Sequence, residues 1–223
     1  MYQLIQESLP LSVFEIILLT FTVLFGFSIV WSTMTLGISP MPSSNKARQA
    51  MFKMMNETIT KTSAETSAET SAETSAETSA ETSAETSAEI KEGPIFELGC
   101  GWGGLLIPLA RKYPTRDIVG YELSLIPWLV TLLRAKLLGL KNIRLHRQDF
   151  LQADLSSASV IICYLFPEGM KALECKLQQS ELNKENRTFV YLISNNFSLP
   201  SHNPIKSIQL NDLYQSPIYL YKF

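Results

Sequence analysis

The chain has 223 residues, 46% of them hydrophobic, with 19 Lys and Arg against 21 Asp and Glu. That length allows one domain with a sizeable core, and the near-neutral balance excludes a nucleic-acid binder driven by bulk positive charge. Three cysteines, an odd number without a C-x-x-C pair, exclude a disulfide-built scaffold.

In chain order, residues 1–15 form a short N-terminal extension, and residues 16–38, "IILLTFTVLFGFSIVWSTMTLGI", run without a charge. At 1.5 Å rise per residue, such a run crosses a hydrocarbon layer of roughly 30 Å, which predicts one transmembrane helix. A cleaved signal peptide fits less well, because no Lys or Arg precedes the run and Glu7 and Glu15 do. A buried core helix would need more surrounding chain than is present to cover every face. Lys46, Arg48, Lys53 and Lys61 follow the run, so the positive-inside rule predicts a membrane protein with its C-terminal bulk on the cytoplasmic, or in an organelle the matrix, side.

Residues 39–61 read as a membrane-proximal segment, and residues 62–89 are seven copies of Thr-Ser-Ala-Glu. Helical spacing would align the glutamates at i and i+4, where like charges repel, so the repeat predicts a solvated, disordered linker. Without its seven glutamates the chain carries 14 acidic against 19 basic residues, a net charge near +5 that suits an anionic membrane surface.

Residues 90–223 alternate short apolar runs with helical patterns. "PIFEL", "DIVGYE", "NIRLHR", "ASVIICYLF" and "RTFVYLIS" predict five parallel strands; "GGLLIPLARKY", "LIPWLVTLLRAKLLG" and "PEGMKALECKLQQ" predict helices; "IKSIQL" and "SPIYLYKF" predict a closing hairpin. This is a Rossmann-like α/β order, whose ligand crevice lies at the C-terminal ends of the strands. Cys100, Cys163 and Cys175 read as reduced core residues. His146 and His202 lack metal-ligand spacing, so no metal is expected.

The turn after the first strand, "ELGCGWGG", admits two patterns: G-x-G-x-x-G through Gly99, Gly101 and Gly104, or E-x-G-x-G-x-G through Glu97, Gly99, Gly101 and Gly103. The glycines alone do not separate a nicotinamide enzyme from an S-adenosylmethionine enzyme. Glu97 does, because a carboxylate repels a pyrophosphate and attracts a ligand bearing an ammonium and a sulfonium.

The second pattern is the first motif of class I methyltransferases, and "VGYELSLIPWLVTLLRAKLLG", "QDFLQADLSSASVIICYLFPEGMKALECKL" and "FSLPSHNP" resemble the membrane-tethered lysine methyltransferases that include the ATP synthase c-subunit lysine N-methyltransferase. The resemblance runs from about Pro40 to Phe223, leaving out the repeat. It implies S-adenosylmethionine as cofactor, held by Glu97, Gly99, Cys100, Gly101 and Gly103, by Glu122 and Leu123 at the ribose, and by Asp149 and Phe150 at the adenine. It also implies that "SPMPSSNKARQAMFKMM" helps cover the cofactor. Two departures stand out: Trp102 replaces the family's acid after the second glycine, and the repeat interrupts the join between covering helix and first strand.

"YLFP" occupies the place where many class I enzymes carry Asn/Asp-Pro-Pro-aromatic, but without the polar first residue. This disfavours an adenine or glutamine acceptor and suits an aromatic wall around a lysine, with Tyr164 and Phe166 as substrate-site candidates on one face of a strand and no residue identified as a catalytic base. The resulting expectation is a single-pass, membrane-anchored S-adenosylmethionine-dependent methyltransferase acting on a lysine of a protein, with membrane proteins among the candidate substrates, and not on nucleic acid. A non-catalytic S-adenosylmethionine-binding scaffold and a nicotinamide oxidoreductase are the alternatives.

Overall fold

The computed structural model describes residues 12–36, 44–58, 93–182, 190–212 and 215–223, the side chains of 28–36 and 180–182 excepted. The Thr-Ser-Ala-Glu repeat, and with it the linker expectation, lies outside the described residues. The chain divides into two compact units, Met1–Pro40 and Met41–Phe223.

In the first unit a helix, α1, spans Val13–Leu36. It begins earlier than the apolar run because Ser12 and Glu15 form a capping box: the Ser12 amide donates to Glu15 Oε2 at 2.7 Å and the Glu15 amide to Ser12 Oγ at 3.3 Å. Glu15 is therefore a first-turn capping residue and not a boundary of the helix. Apolar side chains on all sides, from Val13 to Phe27, are exposed, while the Thr20 and Thr22 hydroxyls bond back to the Ile16 and Leu18 carbonyls at 2.8 Å. Among the described residues, no helix is long and apolar enough to cross a membrane; the described side chains of α1 end at residue 27.

The second unit opens with α2, residues 45–58. Ser44 caps it by accepting from the Ala47 amide at 3.1 Å. Ala47, Met51, Met54, Met55 and Thr58 recur at helical spacing and are all buried, so one face enters the core. Seven strands follow: β1 Ile95–Leu98, β2 Ile118–Tyr121, β3 Ile143–His146, β4 Val160–Cys163, β5 Tyr191–Asn195, β6 Lys206–Gln209 and β7 Pro217–Lys222. They form one sheet in the order β3-β2-β1-β4-β5-β7-β6. β1 to β5 pair in parallel, and β7 runs antiparallel to both β5 and β6. The expected five parallel strands and terminal hairpin are thus present.

The helices between strands are α3 Leu106–Lys112, α4 Leu125–Leu137 and α5 Pro167–Leu182. α3 starts later than the pattern "GGLLIPLARKY" suggests, because Gly101 and Gly103 have positive φ and keep the chain in a turn. Gly139, also at positive φ, follows the end of α4 as expected.

Period-2 alternation splits the core into two. Ile95, Val160, Ile162 and Ile193 face one side with Met51, Met54 and Met55 of α2 and Leu106 and Leu109 of α3. Phe96, Leu98, Ile161, Cys163 and Leu192 face the other with Met170, Leu173 and Leu177 of α5. Each fully buried Met or Leu contributes about 1.5–3 kcal/mol by removal from water, which fastens α2 to the domain despite its distance in sequence from β1. Cys100 and Cys163 are buried core residues, whereas Cys175 is exposed on α5, contrary to the core assignment. Its neighbours Leu173 and Leu177 take the buried helical positions.

Candidate functional site

Leu98, Tyr121, His146, Cys163 and Ser194 stand side by side through the parallel registers of β1 to β5. The chain therefore leaves all five strands at one edge of the sheet, where such folds place their ligands. Segments carrying Gly99–Gly103, Glu122, Asp149, Tyr164 and Phe197 emerge there.

Glu97 is buried on β1, 7% exposed, and its alternation with Phe96 and Leu98 sets it on the α2 and α3 side of the sheet. Its Oε2 has no hydrogen-bond partner among the described residues. Burial, and after it the nearby Glu122 charge, pushes the Glu97 carboxyl well above its ordinary value of 4.5. Cys100 is pushed up in the same way by burial, then by Glu97 and Glu122. A buried carboxyl with an unpaired oxygen beside a second acid is costly unless something cationic completes it.

The loop beyond Glu97 is held by its own backbone and by neighbours. The Gly99 and Cys100 amides both donate to the Tyr121 carbonyl, at 2.9 and 3.0 Å. At Gly103 a Cβ would lie 2.7 Å from Thr131 Cγ2, whereas at Gly101 it would meet nothing within 4 Å. Gly103 is thus required by packing against α4, and Gly101 leaves open space at the strand edge. Gly99, Gly101 and Gly103 take positive φ and Gly104 does not, so the E-x-G-x-G-x-G reading is the one the backbone follows. Thr131 also donates its hydroxyl to the Gly101 carbonyl at 2.9 Å.

Glu122 accepts from the Gly101 amide at 2.8 Å through Oε2 and from the Ser124 amide at 2.8 Å through Oε1, fastening the glycine loop to the end of β2. Each carboxylate oxygen keeps a further acceptor position for a hydroxyl. Leu123 beside it is exposed. Asp149 accepts from the Leu151 amide at 2.9 Å and caps the 3-10 helix Phe150–Gln152, while Phe150 packs against the core on the α5 side.

Tyr164 and Phe166 do not lie on a strand, since β4 ends at Cys163. They stand in the loop before α5, on either side of the buried Leu165, whose side chain meets the space above Gly99. Pro167 begins α5, and the chain turns away from the sheet before it. The Tyr164 ring is stacked with Phe197 at 6.3 Å, and burial raises the Tyr164 phenol above its ordinary 10.

Several contributors escape a reading by motif. Arg48 of α2 donates to the Gly104 carbonyl at 2.8 Å, Arg134 of α4 to the Trp102 carbonyl at 2.5 Å, and Thr131 and Phe197 act as described. Arg48 was within reach, being the residue of the covering segment one turn after its cap. Phe197 comes from the loop after β5, next to β4, and opens the stretch "FSLPSHNP", which gave no sign that its ring meets Tyr164.

These features fit a ligand that is cationic near Glu97, bears hydroxyls near Glu122 and presses close to Gly101. The family described as ANTKMT methyltransferase domain matches residues 97–206. Residues 97–206 form an S-adenosylmethionine-dependent methyltransferase domain that is similar to this family. A protein-lysine N-methyltransferase of Saccharolobus islandicus is 25% identical over 59% of this chain and 80% of its own. An uncharacterised protein of Rickettsia prowazekii is 33% identical over 57% of this chain but only 23% of its own length. A tRNA (guanine-N(7)-)-methyltransferase of Thermotoga maritima is 38% identical over 26% of this chain and 19% of its own. The chain therefore spans about a quarter or less of the first two relatives. Among solved structures, an RNA methyltransferase from Salinibacter ruber in complex with S-adenosyl-L-homocysteine superposes with a TM-score of 0.50 at 23% identity, over 58% of this chain and 80% of the other, a likeness of fold. S-adenosylmethionine is accordingly the cofactor of the methyltransferase domain.

Proposed function

We propose that this chain N-methylates a lysine of a protein, and that α1 anchors it to a membrane with the methyltransferase domain on the cytoplasmic or matrix side. The observation that carries the cofactor assignment of individual residues is the buried, unpaired carboxyl of Glu97 facing the same edge as Gly101 and Glu122. The lysine reading is supported by the protein-lysine N-methyltransferase relative and by an acceptor side walled by Tyr164 and Phe197 in place of a polar amide grip. The membrane reading is supported by the uncharged run at residues 16–38 in the sequence and by the exposed apolar side chains of α1.

In this reading Glu97 pairs with the cationic end of the cofactor, Glu122 and Leu123 serve the ribose, Asp149 and Phe150 the adenine, and the Cys100 to Gly103 backbone lies against its chain. S-adenosylmethionine supplies an electrophilic methyl group when bound. The residues present have three tasks: to seat the acceptor in line with that methyl at about 3 Å, to exclude water, and to favour a neutral amine. Tyr164, whose phenol is raised by burial, stays protonated at neutral pH, so it shapes the acceptor channel and does not remove the proton. An apolar channel lowers the pKa of an entering ammonium and releases its proton to water before transfer.

The test is incorporation of labelled methyl groups by the full chain into membrane fractions, soluble protein and RNA, with the modified residue identified by mass spectrometry. Methyl-lysine in membrane protein, absent with Glu122→Ala, supports the proposal. Methylated RNA alone contradicts the acceptor class, and tight S-adenosylhomocysteine binding without any transfer supports the scaffold alternative.

A further inference from the structure

On α4 only Thr131 and Ala135 are fully buried, while Leu125, Leu129, Leu133 and Leu137 are between 46% and 77% exposed. Their four-residue spacing lines them along one face of the helix, opposite the face that buries Thr131 and Ala135. A soluble surface helix has its polar residues on that outer face. Here the charges nearby are of one sign: residues 123–148 contain Arg134, Lys136, Lys141, Arg144 and Arg147 and neither Asp nor Glu. β3, the edge strand paired with β2, lies beside α4; its Ile143 and Leu145 pack on the α4 side of the sheet, while Arg144 and His146, alternating with them, are exposed on the α5 side. Arg144 pairs with Asp117 at 2.7 Å, and Lys136, Lys141 and Arg147 are exposed.

We propose that the outer face of α4, with the turn that follows it, is an interfacial membrane contact, laid on an anionic bilayer surface with the leucines among the headgroups and acyl chains and Lys136 and Lys141 at lipid phosphates. Apolar stripe and uniform positive charge together are the pattern of a helix lying in an interface. A second copy fits worse. Lys136 lies three and four residues after Leu133 and Leu132, on the same face as the leucines, and a symmetric pair would bring like charges together in the seam. In a bilayer its ammonium snorkels to the phosphates. The inference rests on the anchored reading and extends it: the domain touches the bilayer with its own surface as well as through α1.

The experiment uses the full chain with Cys175→Ser, reconstituted in phosphatidylglycerol-containing vesicles and spin-labelled at Leu133→Cys or, on α5, at Lys171→Cys. The ratio of oxygen to aqueous-nickel accessibility at position 133 is expected to exceed that at 171 by about threefold or more, and to fall in purely zwitterionic vesicles or with Lys136→Glu. Chain that floats with the vesicles while position 133 stays as open to nickel as position 171 overturns the inference and leaves the anchor standing. Chain that does not float overturns both. Oxidative cross-linking of Leu133→Cys into a dimer, in detergent as in vesicles, overturns it in favour of a second copy.

Discussion

Glu97 and Glu174 are both buried glutamates, 7% and 3% exposed, on opposite sides of the same sheet, yet they do opposite things. Glu174 on α5 is saturated: its carboxylate accepts from the Ser201 amide at 3.0 Å, the His202 amide at 2.8 Å and His202 Nδ1 at 3.2 Å. It staples the loop after β5 to α5, and the His202 ring in turn lies 4.7 Å from Phe223. Glu97 keeps an unpaired oxygen and a second acid for a neighbour. A buried acid whose partners belong to the chain is structure. One with an oxygen that has no partner among the described residues is open to a ligand, and its buried charge favours a cationic one.

The largest effect that sharpens this contrast is on binding. Glu97→Gln should weaken S-adenosylhomocysteine binding by about 100-fold or more, since it removes a charge-assisted contact in a low-dielectric place, while raising the thermal midpoint of the free chain. Glu174→Gln should do the reverse, costing about 1.5–3 kcal/mol in urea unfolding of the free chain and leaving affinity within a few-fold. The glycines divide similarly. Both Gly103→Ala and Gly101→Ala carry the cost of a positive φ, about 1–2 kcal/mol; Gly103→Ala also drives a methyl against Thr131 at 2.7 Å and should destabilise further, whereas Gly101→Ala meets no protein atom within 4 Å and should add mainly a loss of affinity.

A smaller effect concerns pH. Glu97 in the folded free chain is raised well above 4.5, so below 4.5 it is protonated folded and unfolded alike and contributes nothing. Above 4.5 the unfolded chain ionises first, and this group favours unfolding increasingly until the folded pKa is passed. Stability of the free chain should therefore fall across that window, and Glu97→Gln should flatten the slope in urea titrations at successive pH values. The smallest change is at the thiols. Cys175 should react with a maleimide in the native chain, while Cys163, pushed up to about 12 by burial, should stay unmodified until unfolding.

The strands were legible in the sequence because each is a short, bounded apolar run, and β1's "IFEL" ran straight into its glycines. Glu97 and Glu122 were legible because they sit at strand ends at fixed spacing from that turn. Tyr164 and Phe166 read as strand residues because the apolar run continues past Cys163 through Tyr164, Leu165 and Phe166, and only Pro167 marks where the chain leaves the sheet. Asp149 announced an acid after β3, but not that one of its oxygens caps the following turn. What no local pattern held was the long-range pairing: Tyr164 with Phe197, Arg48 with Gly104, Glu174 with Ser201 and His202. The pattern "LIPWLVTLLRAKLLG" announced a helix but not which of its leucines face outward.

The central claim is that the charge on Glu97 is held for a cationic ligand. Its most direct test is calorimetric titration of the full chain with S-adenosylmethionine and with NAD, in buffers of different ionisation enthalpy. Binding of S-adenosylmethionine and not NAD is predicted, with most of the affinity lost in Glu97→Gln and, in the pH range above 4.5 where the free carboxyl is still protonated, a proton release lost with it. Equal binding by Glu97→Gln, or preference for NAD, would contradict it.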